Sequence, residues 1–173
     1  MKTLILVRHA KSSWNDPALR DFDRPLNERG KQDAPLMAGR LAGRGVKPQR
    51  ILCSPALRTV STAEVFCSLL SMPPSLTQME RQIYQADHPQ LLQLLTLQDD
   101  KFDVIMLVGH NPGLTDLFNS LNGNARIDNL PTCGVAQLSF EVDSWAQLRP
   151  GLAELEHIDF PRKAYQDGAD PTR

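Results

Sequence analysis

The apolar positions of this chain form two patterns. Residues 4–7 and 104–108 are unbroken apolar runs that stop at Arg8-His9 and at Gly109-His110. Such runs predict strands buried on both faces, as in the interior of a parallel sheet. Shorter runs at 51–53 and 76–79 predict two more strands. Between the strands, apolar residues recur three and four apart, the spacing of a helix face. Ala34, Met37, Ala38 and Leu41 mark a first helix, with Asn27 as N-cap and Gly43 and Gly45 at its end. Val60, Ala63, Phe66, Cys67 and Leu70 mark a second, with Ser54 as cap, Pro55 in its first position and Pro73-Pro74 as its stop. A third helix opens at Asp87-His88-Pro89 and carries Leu91, Leu92, Leu94 and Leu95. A fourth opens at Asn111-Pro112, carries Leu114, Leu117, Phe118 and Leu121, and closes at Gly123.

After Pro131 the pattern changes. Residues 135–140 and 151–158 read as strands with no helix between them. They predict an antiparallel extension at one edge of the sheet. The fold class is therefore α/β: a three-layer α/β/α sandwich with a mostly parallel central sheet and an antiparallel C-terminal edge. Residues 11–24 are polar, with Trp14, Pro17 and Phe22 scattered among them, and read as a long loop of the kind that serves function. Residues 1–162 are expected to form a single catalytic domain. Residues 163–173 are polar with little to bury and are expected to be a flexible tail.

Bulk properties narrow the picture. The 173-residue length suits one domain with a substantial core. A net charge of −1 provides no global field for nucleic acid or an acidic membrane, so any anion site must be local. Cys53, Cys67 and Cys133 are odd in number and form no CxxC pair; free thiols in a reducing cytoplasm account for them. The N-terminal apolar run is broken by Arg8-His9 too early for a signal peptide, and no run reaches membrane-spanning length. A soluble cytoplasmic protein is expected.

The strand ends carry the candidate chemistry. Ligands of open α/β sheets sit beyond the carboxyl ends of the strands. Arg8-His9, the segment from Ser54 to Arg58, and His110 all fall there. Two guanidinium forks suit phosphate oxygens. A neutral imidazole can attack phosphorus and hold the phosphoryl group, while a second, protonated imidazole donates to the oxygens. Neighbouring arginines favour the neutral nucleophile. His9 and His110 lack HxH or HExxH spacing, and adjacent arginines repel a cation, so no metal is expected. No Gly-rich nucleotide cradle follows a strand, and no cofactor is expected. His88 and His157 have no motif around them and are read as structural or surface residues.

These residues resemble a known family. Leu6-Val7-Arg8-His9-Ala10-Lys11-Ser12, then Ser54-Pro55-Ala56-Leu57-Arg58-Thr59 with Thr62-Ala63, then Gly109-His110-Asn111 are similar to the three motifs of the histidine phosphatase superfamily, in the same order. The start, with Ala10 in place of the commoner glycine, together with Arg24-Pro25-Leu26 and the Leu130 to Gly134 segment, resembles the SixA-type phosphohistidine phosphatases. The resemblance implies that His9 is the phosphorylated nucleophile and that Arg8, Arg58 and His110 complete a catalytic phosphate pocket. It implies substrate-binding roles for Asn15 and Ser12. The general acid is the point of departure: Glu80 is the nearest candidate, with Tyr84 and Asp87 as alternatives, and none sits in a mutase-like motif. A weak acid suits P–N cleavage, because a phosphorylated imidazole can be protonated on its own ring, with a conjugate-acid pKa of about 6.5. The implied partner is a phosphorylated protein such as a histidine phosphotransfer domain or a phosphocarrier. A small-molecule phosphomonoesterase or mutase, and a non-catalytic phosphate-binding module, are the alternatives.

Overall fold

Six strands form one sheet in the order β3-β2-β4-β1-β5-β6 in a computed structural model that describes residues 1–162; the expected tail lies outside the described residues. The strands are β1 (Lys2–Arg8), β2 (Arg50–Cys53), β3 (Thr77–Met79), β4 (Val104–Gly109), β5 (Val135–Phe140) and β6 (Glu154–Asp159). The helices are α1 (Glu28–Gly43), α2 (Leu57–Leu69), α3 (His88–Thr96) and α4 (Gly113–Leu121). Strands β3, β2, β4 and β1 run parallel to their neighbours, while β5 pairs antiparallel with β1 and with β6. The expected mostly parallel sheet with an antiparallel C-terminal edge is therefore the observed one.

The unbroken apolar runs are explained by the two cores. In β1, Leu4 and Leu6 face one core while Ile5 and Val7 face the other. In β4, Ile105 and Leu107 oppose Met106 and Val108 in the same way. Side chains α3 and α4 fill the first core, with Leu91, Leu95, Leu114 and Phe118. Those of α1 and α2 fill the second, with Met37, Leu41, Phe66 and Cys67. A strand between two apolar layers cannot spare a polar position, so the alternation seen in half-exposed strands disappears.

Three boundaries differ from expectation. Ser54 does not cap α2. Its N–H donates to the Val108 carbonyl at 3.1 Å as a continuation of β2, so the chain turns through residues 55–56 and the helix starts at Leu57. Likewise α4 starts at Gly113, after Asn111, whose Oδ1 still accepts from the Thr115 N–H at 3.1 Å. The last strand starts at Glu154, because Gly151 sits at φ +79° in a turn. By contrast, Asn27 caps α1 through the Gly30 N–H, and Asp87 caps α3 in a full capping box.

The register of the parallel strands brings the motifs together. Arg8 lies opposite Gly109, and Cys53 opposite Val108. Beyond these pairs, the His9 N–H donates to the Gly109 carbonyl and the Cys133 N–H to the His9 carbonyl. Three segments remote in sequence thus leave the sheet side by side.

Candidate active site

Arg8, His9, Ser12, Arg58 and His110 line one cavity of about 320 Å³ at the carboxyl ends of β1, β2 and β4. The two imidazoles lie with ring centroids 5.4 Å apart and planes tilted by 54°. The His9 Nδ1 sits 2.7 Å from the Ala10 carbonyl oxygen. A carbonyl only accepts, so Nδ1 carries the proton and the lone pair is left on Nε2. The Ala10 N–H is itself fixed by Thr62 Oγ1 at 3.0 Å. Thr62 therefore holds the nucleophile's backbone across 52 residues of sequence.

His110 has the complementary arrangement. Its Nε2 lies 2.8 Å from Ser54 Oγ, which already accepts from the Ala56 N–H. The serine O–H donates to Nε2 in the tautomer that carries its proton on Nδ1, and the hydroxyl's second lone pair accepts from Nε2–H in the other. That Nδ1 is buried and has no partner among the protein groups. A neutral His110 can therefore donate from Nδ1, and the protonated second imidazole expected from the sequence is not needed for donation.

Both histidines are held neutral. Burial, with the Arg58 and Arg8 charges adding to it, pushes His9 down to about 4 despite the Ala10 hydrogen bond. Burial and then the Arg58 charge push His110 down to about 3. Burial and the neighbouring Arg58 lower Arg8 as well. Burial is the larger cause in each case, and the positive charges gathered in the pocket add to it.

The arginines are anchored at one end and free at the other. Arg8 Nη1 donates to the Leu130 carbonyl at 2.9 Å. Arg58 donates from Nη1 to the Asp21 carbonyl at 2.7 Å and from Nη2 to Asp21 Oδ2 at 3.0 Å. The Nε atoms of both are buried without a partner. Orphaned buried donors are rare, and with Arg24 Nη1 and the His110 Nδ1 four of them belong to residues lining this one cavity.

Asp21 and Arg24 are site residues that the chemistry-based reading did not single out. The Asp21 carboxylate takes hydrogen bonds from Arg58, from Arg24 Nε at 3.2 Å and from the Tyr84 hydroxyl at 2.7 Å. Burial by itself raises its pKa, but the hydrogen bonds from Tyr84 and Arg58 outweigh burial and hold the carboxyl below its ordinary value. Arg24 stands in the Arg24-Pro25-Leu26 segment of the resemblance, which assigns it no role, and for Asp21 the local signal is an acid and a base three apart in a long polar loop, a spacing too common to point anywhere.

Two expected residues fall outside this cavity. Asn15 borders a neighbouring cavity, because its N–H is turned back onto Ser13 Oγ at 3.1 Å. Glu80 follows β3, the strand at the sheet edge, and its carboxylate accepts from Gln78 and Gln82. Tyr84 comes nearer, with its ring edge-on to His110 at 5.5 Å, while Asp87 is committed to the α3 cap. Among the described residues, no cluster of three His, Cys, Asp or Glu side chains has the geometry to hold a metal ion.

Comparison with known proteins places this geometry. Residues 4–81 match the histidine phosphatase superfamily (branch 1). An uncharacterized chloroplastic protein of Arabidopsis thaliana is 36% identical over 175 residues, covering 92% of this chain and 78% of that protein. The chain belongs to the histidine phosphatase superfamily. An uncharacterized Mycobacterium tuberculosis protein is 30% identical over 165 residues, covering 90% of this chain and all of its own length. Within the superfamily the fold matches the crystal structure of a SixA protein from Agrobacterium tumefaciens, assigned as a phosphohistidine phosphatase, with a TM-score of 0.78 and 29% identity over 91% of this chain and 97% of that one. It also matches a mycobacterial glucosyl-3-phosphoglycerate phosphatase, with a TM-score of 0.63 at 14% identity over 90% of this chain and 97% of that one. The superfamily and these neighbours support a phosphatase.

Proposed function

We propose that this protein is a metal-independent phosphatase that removes the phosphoryl group from phosphohistidine on another protein, through a phosphoryl group carried on His9. The observation that carries the reading is the His9 tautomer. With Nδ1–H committed to the Ala10 carbonyl, the Nε2 lone pair is available in a cavity also lined by Arg8, Arg24, Arg58 and His110, each of which has one ring or guanidinium nitrogen without a protein partner. Nε2 attacks phosphorus as the P–N bond of the substrate breaks. The leaving imidazole, protonated on its other nitrogen, departs neutral. Arg8, Arg58 and the His110 Nδ1–H hold the equatorial oxygens, and Ser12 adds a hydroxyl at the cavity wall. Water then attacks the phosphoryl group, dihydrogen phosphate leaves, and His9 returns with its Nδ1–H intact.

The leaving group decides between substrate classes. No carboxylate lines the cavity, and Asp21, which anchors Arg58, is also tied to Arg24 and Tyr84 and stays ionised. An alkoxide leaving from an ester needs a proton from the enzyme, whereas an imidazole brings its own. This supports phosphohistidine over a sugar phosphate or phosphoglycerate. The partner class is accordingly a protein such as a histidine phosphotransfer domain or phosphocarrier. A cytoplasmic setting is consistent with three buried free cysteines. Among the described residues, no helix is long and apolar enough to cross a membrane.

The test is to trap the intermediate and compare substrates. Wild-type protein quenched during turnover should carry an acid-labile, alkali-stable phosphoryl group on His9, and His9→Ala should carry none and lose turnover. His9→Ala turning over at the wild-type rate ends the mechanism. A higher kcat/KM on sugar phosphates or phosphoglycerates than on a phosphohistidine protein overturns the substrate class.

A further inference from the structure

Trp14 stands at the mouth of the candidate site and is 76% exposed. An indole is an expensive group to leave in water, and nothing in the fold uses it as core. Its loop is nevertheless built rather than loose. The Ser13 N–H donates to the Pro25 carbonyl at 2.8 Å, and the Asn27 N–H to the Lys11 carbonyl at 2.9 Å. Ser12 pairs with Leu26 in an antiparallel bridge between them. Gly30 of α1 lies so close beneath that an added Cβ would stand 2.2 Å from the Lys11 carbonyl oxygen. The indole is itself oriented. The Arg24 guanidinium carbon lies 3.4 Å from its ring centroid, and the Arg24 side chain is only 8% exposed, tied down by Asp21. One face of the ring is thus occupied by a fixed cation and the other is open.

Trp14 also divides two spaces. The candidate phosphoryl cavity and a second cavity of about 380 Å³ share Lys11, Ser12 and Trp14 as a common wall. Asn15, Asn27 and Arg29 border the second cavity, with Glu28 beside them. The indole and the side-chain carbons make its exposed wall mostly apolar, with the Asn15 amide and charged groups at the edge, which suits a polypeptide segment carrying apolar side chains between its N–H and C=O groups better than a polyanion. We propose that Trp14 and this second cavity form a docking surface for the polypeptide segment flanking the phosphorylated histidine of a substrate protein. The proposal rests on the phosphohistidine reading given above. It assigns to Trp14 the part of a rigid aromatic anchor, a residue type enriched among the few that dominate binding energy. It also gives Asn15 a place: beside the flanking segment rather than on the phosphoryl group.

The experiment compares wild type, Trp14→Ala and Trp14→Phe on two substrates: a folded protein phosphorylated on a surface histidine by phosphoramidate, and the free amino acid phosphohistidine. Trp14→Ala should lower kcat/KM on the protein about tenfold or more, mainly through KM, as expected for an interface anchor. On free phosphohistidine the loss should be several-fold smaller than on the protein, circular dichroism reports that the variant is folded, and Trp14→Phe should recover most of the loss on the protein. Equal losses on both substrates would assign Trp14 to the phosphoryl cavity itself and overturn the docking surface. A Trp14→Ala protein with full efficiency on the protein substrate overturns it while leaving the phosphatase reading intact. A wild-type protein inactive on both phosphohistidine substrates but active on para-nitrophenyl phosphate overturns the phosphohistidine reading and the docking surface together.

Discussion

Holding two histidines neutral inside a cationic pocket has a measurable cost as pH falls. His9 is 8% exposed, and burial with the Arg58 and Arg8 charges takes it from 6.5 down to about 4. The sign follows from which state binds the proton. Above pH 6.5 neither folded nor unfolded His9 is protonated, and there is no penalty. Between 6.5 and about 4 the unfolded chain takes up a proton that the folded chain refuses, so stability falls as pH falls. Below about 4 both are protonated and the penalty stays constant. At about 1.4 kcal/mol per tenfold in proton affinity, the full penalty from His9 is about 3 kcal/mol, of which about 2 kcal/mol develops between pH 7 and pH 5. The perturbation is His9→Asn, which retains an N–H for the Ala10 carbonyl but does not titrate. Urea unfolding of wild type and variant at both pH values isolates the effect, because the carboxylates contribute equally to each. The wild type should lose about 2 kcal/mol more than the variant on going from pH 7 to pH 5. Removing His9 also relieves His110 of one neighbour, which flattens the variant's dependence further. Equal losses in the two proteins, or an imidazole resonance of His9 titrating near 6.5, would refute the electrostatic account of the pocket.

Two other perturbations probe the frame around the site. Gly30→Ala drives a methyl group into the Lys11 backbone, which cannot swing aside as a flexible side chain would; a destabilisation of about 1–3 kcal/mol is expected, seen as a fall of about 3–10 °C in thermal midpoint. A midpoint within about 1 °C of wild type would show that the loop yields freely. Asp21→Ala removes the carboxylate that steadies Arg58 and Tyr84 and leaves only the backbone contact to Arg58. Hydrogen bonds to charged groups are worth about 1.5–3 kcal/mol, so kcat/KM should fall about tenfold or more on any phosphoryl substrate, and an unchanged value would make Asp21 dispensable for placing Arg58.

The fold was legible because a few strong local patterns agree. The unbroken runs in β1 and β4 report burial on both faces, and the caps at Asn27 and Asp87 report helix starts that the structure keeps. The start of α2 differs from its local pattern because serine followed by proline is a cap signal with a second use. Here Ser54 extends a strand and gives its hydroxyl to His110, a partner 56 residues away. Motif spacing and the buried runs suffice to bring Arg8, His9, Arg58 and His110 to the carboxyl end of the sheet. Asp21 and Trp14 carry no such signal and Arg24 carries one only as part of the Arg24-Pro25-Leu26 segment, without a role, because each acts through a partner set by how the loop folds back.

The sequence by itself determined which side chains could handle a phosphoryl group, the order of strands and helices, and the end of the sheet where the ligand belongs. These follow from residue type, periodicity and the direction of a parallel strand. Only the tertiary structure decided which histidine nitrogen is free, which arginine nitrogens are committed, and which residues share a cavity wall. A tautomer is fixed by a single neighbouring carbonyl, and an arginine's free donors are those its anchors do not take. The arginine anchors join segments up to 122 residues apart, as Arg8 with the Leu130 carbonyl, and the His9 tautomer depends on an Ala10 backbone that Thr62 holds from 52 residues away. Local pattern encodes the faces an element presents; only packing settles what each face meets.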